Sequence, residues 1–312
     1  MAFVEDVLRF LTARMQIDAE WAMQEETSFT WWPSALAQRV WATPARDFQG
    51  VRLTTVHVET DLLTGVTFDP STWERLAGMN RFASLSAYVA DTAARTVRLH
   101  ASVSLTEDNW LMGRAMALHA MALQIVDAHG EAEALANAFG AAVARSEHPR
   151  RGARPTPDEM LGIGSIYQDR GQRESPFGPE ELAQLVHLDP RPWMLASNQP
   201  HRLDADLAFA TGLPSRLELV ADEPHPSLGS GLQMRLLVPV ESDPLIAQRL
   251  NASECAEPDA HQLGAWCVDE ARGVMFSGFV PAAAHVAGLS RALVYHLSAR
   301  NEWARALLFP AG

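Results

Sequence analysis

Chemistry in a protein requires titratable or nucleophilic side chains at spacings that bring them to one face, and this chain offers few such sets. His57, Glu59 and Asp61 alternate along a run of β-forming residues, so a strand would project all three from one face. Imidazole with two carboxylates is a donor set for a divalent cation. The competing reading is the solvated end of a sheet strand, and the matching run in the second half of the chain carries Val238 where His57 stands. His119 and His296 fall in helical patterns, where a histidine packs more often than it acts as a base. His100 lies on a strand with no Ser or Cys neighbour to complete a nucleophile–base pair. An unrecognised catalytic pocket would have to form around His57, Glu59 and His100.

Other sets fail on geometry. Glu25 and Glu26 are adjacent on a strand and point to opposite faces, while Glu180 and Glu181 suit the first turn of a helix. GIGS at 162–165 lacks the Lys and Ser/Thr of a phosphate loop, and zinc-ligand spacings and a nucleophile elbow are missing. The reading is a non-enzymatic chain, with no catalytic residue, cofactor or metal expected.

Trp21, Phe29, Trp31, Trp32 and Trp41 concentrate aromatic surface in one stretch of a chain with nine Trp. Alternation sends Trp31 and Trp32 to opposite faces, so one would fill the core and the other stand outside. An exposed Trp is a strong anchor for a protein contact. Trp31, Trp32 and Trp41 are therefore the candidate partner-binding residues, with burial under the chain's own helices as the competing reading. Met112, Met116 and Met121 read the same way, as core first and adaptable surface second.

Composition narrows the partner. The chain has 312 residues, a net charge of −13 and 25 basic residues, all of them Arg. The missing Lys fits a GC-rich bacterial genome. Such acidity repels phosphate backbones, so no nucleic acid is expected. The one basic run, RSEHPRRGAR at 145–154, reads as a solvated linker. Two cysteines, Cys255 and Cys267, make no disulfide framework. MAFVEDVLRFLTARM has acids where a signal peptide needs positive charge, and no stretch reaches the length of a membrane span. A cytoplasmic protein with no membrane partner is expected.

The elements that would carry these residues are duplicated. LSAYVADTAARTVRLHASV at 85–103 matches LGAWCVDEARGVMFSGFV at 263–280, each a β-hairpin whose first strand closes on an Asp able to bond the turn. Upstream, FQGVRLTTVHVE at 48–59 matches LGSGLQMRLLVPVE at 228–241, and FTWWPS at 29–34 matches FATGLPS at 209–215. Helical spacing marks 3–15, a short helix follows Asp69-Pro70, and a long helix over 108–128 ends at Gly130 before a second helical stretch. The second half repeats the order, with helices near 179–187, 243–250 and 284–308 and strands near 206–211, 215–222 and 231–240. Each half reads α-β-β-β-α-β-β-α, an antiparallel sheet with helices packed on it, in the α+β class. The domains are placed at 1–145 and 179–312, with 146–178 as a linker holding a short helix.

This repeated order, carried by the two hairpins and the FTWWP segment, resembles the type III secretion chaperone-like fold and the YbjN-like proteins, including actinobacterial forms with tandem domains. The resemblance covers most of the chain outside 146–178. It implies a chaperone or adaptor that holds an extended segment of a protein or peptide client, with domains that commonly pair. Two fused copies would then make a pseudo-dimer within one chain. The alternative is a structural or regulatory subunit of a larger protein assembly.

Overall fold

The computed structural model describes residues 2–48, 50–168, 176–187, 193–209, 212–221, 223–257 and 262–310. In chain order the first half runs α1 (Ala2–Arg14), β1 (Ala22–Gln24), β2 (Ser28–Trp31), β3 (Gln38–Ala42), β4 (Arg46–Phe48), β5 (Val51–Thr64), α2 (Pro70–Asn80), β6 (Ala87–Asp91), β7 (Thr96–Leu105), α3 (Trp110–Phe139) and β8 (Ala142–Val143). After the short α4 (Gly164–Gln168), the second half runs α5 (Pro179–Val186), β9 (Met194–Gln199), β10 (Arg202–Leu207), β11 (Ser215–Val220), β12 (Gly231–Leu237), α6 (Pro244–Ala256), β13 (Ala265–Asp269), β14 (Gly273–Pro281) and α7 (Leu289–Leu308).

The chain is α+β, with two antiparallel sheets and helices packed on them. The duplication holds at the level of topology. One sheet follows the path β1-β2-β3-β5-β7-β6 and the other β13-β14-β12-β11-β10-β9, the same order strand for strand. Four strands on this path, rather than three, precede the middle helix of each half. In the first half residues 22–31 form two strands, β1 and β2, rather than one. In the second, β9 is an added strand, because MLASNQ carries no alternation to announce it. The hairpin turns are built as their sequence implies: Asp91 Oδ1 accepts from the Ala94 N–H at 2.9 Å, and Asp269 Oδ1 from the Ala271 N–H at 3.0 Å.

Strand register corrects the upstream alignment. Ala87 faces His100 and Ala265 faces Ser277, while His57 faces Ser102 and Gln233 faces Phe279. His57 therefore corresponds to Gln233, and Val238 lies beyond the end of β12. FTWWPS and FATGLPS are likewise out of step, since Phe29 lies within β2 and Phe209 follows the end of β10.

The residues cluster into two compact units that are not contiguous in sequence. Unit 1 takes Met1–Thr72, Leu85–Gly164 and Asn251–Leu263; unit 2 takes Trp73–Ser84, Ser165–Leu250 and Gly264–Gly312. These ranges differ from 1–145, 146–178 and 179–312 because each unit includes the segment that leads into the other half's hairpin. In unit 1, Ser102 and Gln262 exchange two backbone hydrogen bonds of 2.8 and 2.9 Å. In unit 2, the Phe279 N–H donates to the Ser84 carbonyl at 3.0 Å. Residues 146–164 also belong to the body of unit 1. The Ser146 N–H donates to Ala35 O, the Asp158 N–H to Pro33 O, and half-buried Arg154 pairs with Asp158 at 3.1 Å, so this stretch is not simply a solvated linker.

In unit 1, α3 lies across β5 and β7, and α1 packs on α3. Gly130 does not end α3, which runs unbroken for 30 residues to an αL cap at Gly140. A mid-helix glycine costs only about 1 kcal/mol against alanine, and the helix buries Met116, Met121 and Ile125 on the sheet. Gly113 allows the close approach at its start, where a Cβ would fall 2.0 Å from Leu105 Cδ2. Polar side chains inside this layer are paired: Gln124 Nε2 donates to Val58 O and Ser86 Oγ, and Thr60 Oγ1 donates to Gln124 Oε1. In unit 2, α7 packs on β12 and α5 packs on α7, β9 and β10.

Candidate protein-binding site

Two of the three tryptophans singled out as partner anchors are core residues. Trp31 is fully buried, its indole N–H donating to Gln38 Oε1 at 3.0 Å, and Gln38 Nε2 in turn donates to Met121 O on α3. Trp32 is also buried. It lies past the end of β2, so strand alternation does not govern it. Its indole N–H donates to Ser146 Oγ at 3.2 Å, and its ring meets His148 edge-on. Neither presents a face for a partner. Trp41 is half-buried on β3, stacked on His57 at 4.8 Å with the Arg39 guanidinium 4.9 Å from its ring centroid.

The alternating polar set on β5 is divided between two arrangements, both within unit 1. Glu59 and Asp61 are taken up by one cation, with Arg98 at 3.2 Å and 3.4 Å, and Arg98 also reaches Asp91 at 3.2 Å. Burial pushes the Glu59 carboxyl up, partly against the pull of Arg98. His57 turns to His100 instead: His57 Nδ1 lies 3.2 Å from His100 Nε2, and His100 Nδ1 lies 2.7 Å from Gln262 Oε1. An amide oxygen only accepts, so His100 carries its proton on Nδ1 and its Nε2 accepts from His57 Nδ1. The corresponding positions of the other sheet are also bonded to each other, Gln233 Nε2 donating to Ser277 Oγ at 3.1 Å. The histidine pair thus occupies a place that a neutral amide–hydroxyl pair fills in the other repeat. Among the described residues, no group of three His, Cys, Asp or Glu side chains is arranged to hold a metal ion. Burial raises the thiols of Cys255, to about 12, and of Cys267, which leaves both protonated at neutral pH.

Asp127 on α3 sits beside Glu131, which accepts from the Tyr88 hydroxyl at 2.8 Å. Burial, and secondarily the Glu131 charge, push the Asp127 carboxyl up to about 7. A carboxyl raised in the folded state weakens the fold as pH rises from its unfolded value near 4 through 7. Asp127→Asn is therefore expected to stabilise the protein by about 1–3 kcal/mol at pH 8 and to do little at pH 4. Thermal melts at the two pH values check this.

Unit 2 holds a cleft of about 280 Å³ lined by Arg81, Arg202, Arg235 and Arg272. Its cations are matched by carboxylates: Arg202 and Arg272 reach Glu218 at 3.0 and 3.1 Å, and Arg81 reaches Asp269 at 2.9 Å. This is an ion-pair network across one sheet face.

Sheet edges are among the surfaces open to a partner. β6 and β13, at one end of each path, are largely buried. At the other ends lie β1, three residues long, and β9, six residues long and exposed at five of them. Met194 is 73% exposed and Leu195 37%. MLASNQ contains no charge and no proline, the devices that ordinarily blunt an edge. A bulge at Ala196 interrupts its pairing with β10, where Ser197 faces Asp204 and Leu195 faces Ala205. No family model, no curated protein and no solved structure matches the chain. Among the described residues no helix is long and apolar enough to cross a membrane.

Proposed function

We propose that this chain is a non-enzymatic chaperone or adaptor that holds an extended segment of a client polypeptide, in the manner implied by the likeness to type III secretion chaperones and YbjN-like proteins. The observation that supports this reading is β9, an exposed, uncharged edge with apolar side chains at Met194 and Leu195. An added strand would complete its unpaired backbone groups, while alternate side chains supply specificity. Two free cysteines suit a reducing compartment, which supports a cytoplasmic location as part of this reading.

A charge on the edge tests the reading. Leu195→Lys leaves the core intact and is expected to abolish retention of a client recovered with the tagged protein from its host. Backbone amides of β9 should gain exchange protection in the wild-type complex. A client retained equally by the variant, with β9 amides unprotected, would reject strand addition at this edge.

A further inference from the structure

The basic stretch 145–154 contains a turn that the chain uses twice. His148-Pro149-Arg150-Arg151-Gly152 and His225-Pro226-Ser227-Leu228-Gly229 share the pattern His-Pro-x-x-Gly. In both, the His N–H donates to the Gly carbonyl, at 2.9 and 2.8 Å, and the Gly N–H donates back to the His carbonyl, at 2.8 and 3.1 Å. In both, the His Nδ1 accepts from the amide two residues on, at 3.2 Å, and the Gly has positive φ, 74° and 68°. The geometry is the same although the middle residues are Arg-Arg in one and Ser-Leu in the other. Nothing in the turn therefore requires arginine.

The second turn has a structural duty. His225 Nε2 donates to Phe82 O at 2.9 Å and its ring lies on Phe279, both within unit 2. The first is buttressed through its own ring, His148 lying edge-on to Trp32 at 4.7 Å and Trp21 at 5.9 Å. That leaves the arginines outward. Arg150 is exposed and makes no ion pair among the described residues, and Arg151 reaches only Glu20, at 3.2 Å.

These arginines line a groove of about 490 Å³ in unit 1 together with Glu20, the carboxylate that Arg151 reaches, and with Ala22, Met23 and Gln24, the whole of β1. Among the described residues β1 pairs on one side only, with β2. The Trp32 N–H donates to Trp21 O and the Glu25 N–H to Ser28 O. Antiparallel pairing alternates, so the backbone groups of Trp21, Met23 and Glu25 face β2 and those of Ala22 and Gln24 face the groove. An unpaired strand edge and two outward guanidinium groups share one groove in a chain of net charge −13. We infer that this groove binds an extended acidic peptide segment of a partner protein, its backbone pairing with Ala22 and Gln24 and its carboxylates meeting Arg150 and Arg151. Guanidinium forks match carboxylates bidentately. The site is separate from β9 and stands whether or not that edge takes a client.

The chain supplies its own control. Grafting the second turn's sequence, Arg150→Ser with Arg151→Leu, keeps the turn and removes both cations. The probes are labelled hexapeptides alternating valine with glutamate, with glutamine or with arginine, and a single-stranded oligonucleotide, titrated into the full chain by fluorescence anisotropy. The glutamate peptide is expected to bind in the micromolar range, at least about fivefold more tightly than the glutamine peptide, with affinity falling as salt is added. The graft variant, with unchanged circular dichroism and melting, should lose that preference, and the wild-type amides of Ala22 and Gln24 should gain exchange protection with the peptide bound. Equal binding of the glutamate and glutamine peptides, equal binding by a folded graft variant, tighter binding of the oligonucleotide, or no binding at millimolar peptide would each overturn the inference.

Discussion

Trp31→Ala is expected to destabilise unit 1 by about 3–5 kcal/mol, the range for removing a fully buried aromatic side chain. The cost has two parts. The indole is fully buried on β2, and its removal leaves a cavity that the flanking strands cannot fully close. Its N–H also satisfies Gln38 Oε1 at 3.0 Å, and Gln38 is itself buried and bonded to Met121 O on α3. Losing the indole leaves that amide oxygen without its donor in a dry layer, an added cost of about 1–3 kcal/mol that overlaps the first. Trp31→Phe separates them, keeping most of the volume while removing the N–H, and should cost about 1–2 kcal/mol. Native-state amide exchange in urea is the measurement, because one melting curve for two units does not define one free energy. Protection in β2, β3 and α3 should fall while that in β10, β11 and β12 holds. Unchanged protection in β2 and α3 would remove Trp31 from the core. Where that protection falls, loss of a partner by Trp31→Ala reports unfolding rather than a lost contact, and half-buried Trp41 is the better probe of the outer surface.

The contrast between Trp31 and Trp41 shows what the residue pattern can carry. Alternation identifies strands and the hairpins between them, because a period of two is local and each hairpin closes on an Asp that bonds its own turn. It does not say what lies above a face. Trp32 is buried by Ser146 and His148, more than a hundred residues away in sequence, and no local signal reports that. β9 was illegible for the opposite reason: exposed along nearly all its length, it has no apolar face to write into the sequence. Gly130 misleads because the tertiary contact of α3 outweighs one residue's propensity. The segments Trp73–Ser84 and Asn251–Leu263 cluster away from their own halves through backbone pairing at Ser84 and Gln262, which leaves no mark on side-chain type. The recurring His-Pro-x-x-Gly was visible in the residues, but only the shared hydrogen bonds separate the part that builds the turn from the two arginines that do not.

The histidine pair predicts an acid limb in the stability of unit 1. His100 is fully buried, and burial first, then the neighbouring His57 and Arg98, hold its imidazole down to about 3, against the pull of Gln262. The unfolded chain takes up this proton near pH 6.5 and the folded chain refuses it until about pH 3. The unfolded state therefore binds more protons throughout that window, and stability falls as pH is lowered across it. Above pH 6.5 the contribution is complete; between pH 7 and 4 the loss is at most about 3 kcal/mol from this group alone. The mechanism is specific: a proton on His100 Nε2 destroys the acceptor of the His57 N–H and sets two donors facing each other across 3.2 Å. Asp127 titrates in the opposite sense, gaining stability towards acid, so the acid limb is sharpest in an Asp127→Asn background. The second sheet provides the replacement, since Gln233 and Ser277 stand where His57 and His100 do. His57→Gln with His100→Ser should keep the fold at pH 7 at a cost of about 1–2 kcal/mol, because the smaller pair underfills the site, and should flatten the acid limb seen by amide exchange in β5 and β7. An acid limb of the same depth in that variant would assign it to groups other than the histidine pair; Glu59, whose carboxyl is raised by burial, titrates in the opposite sense and is not one of them.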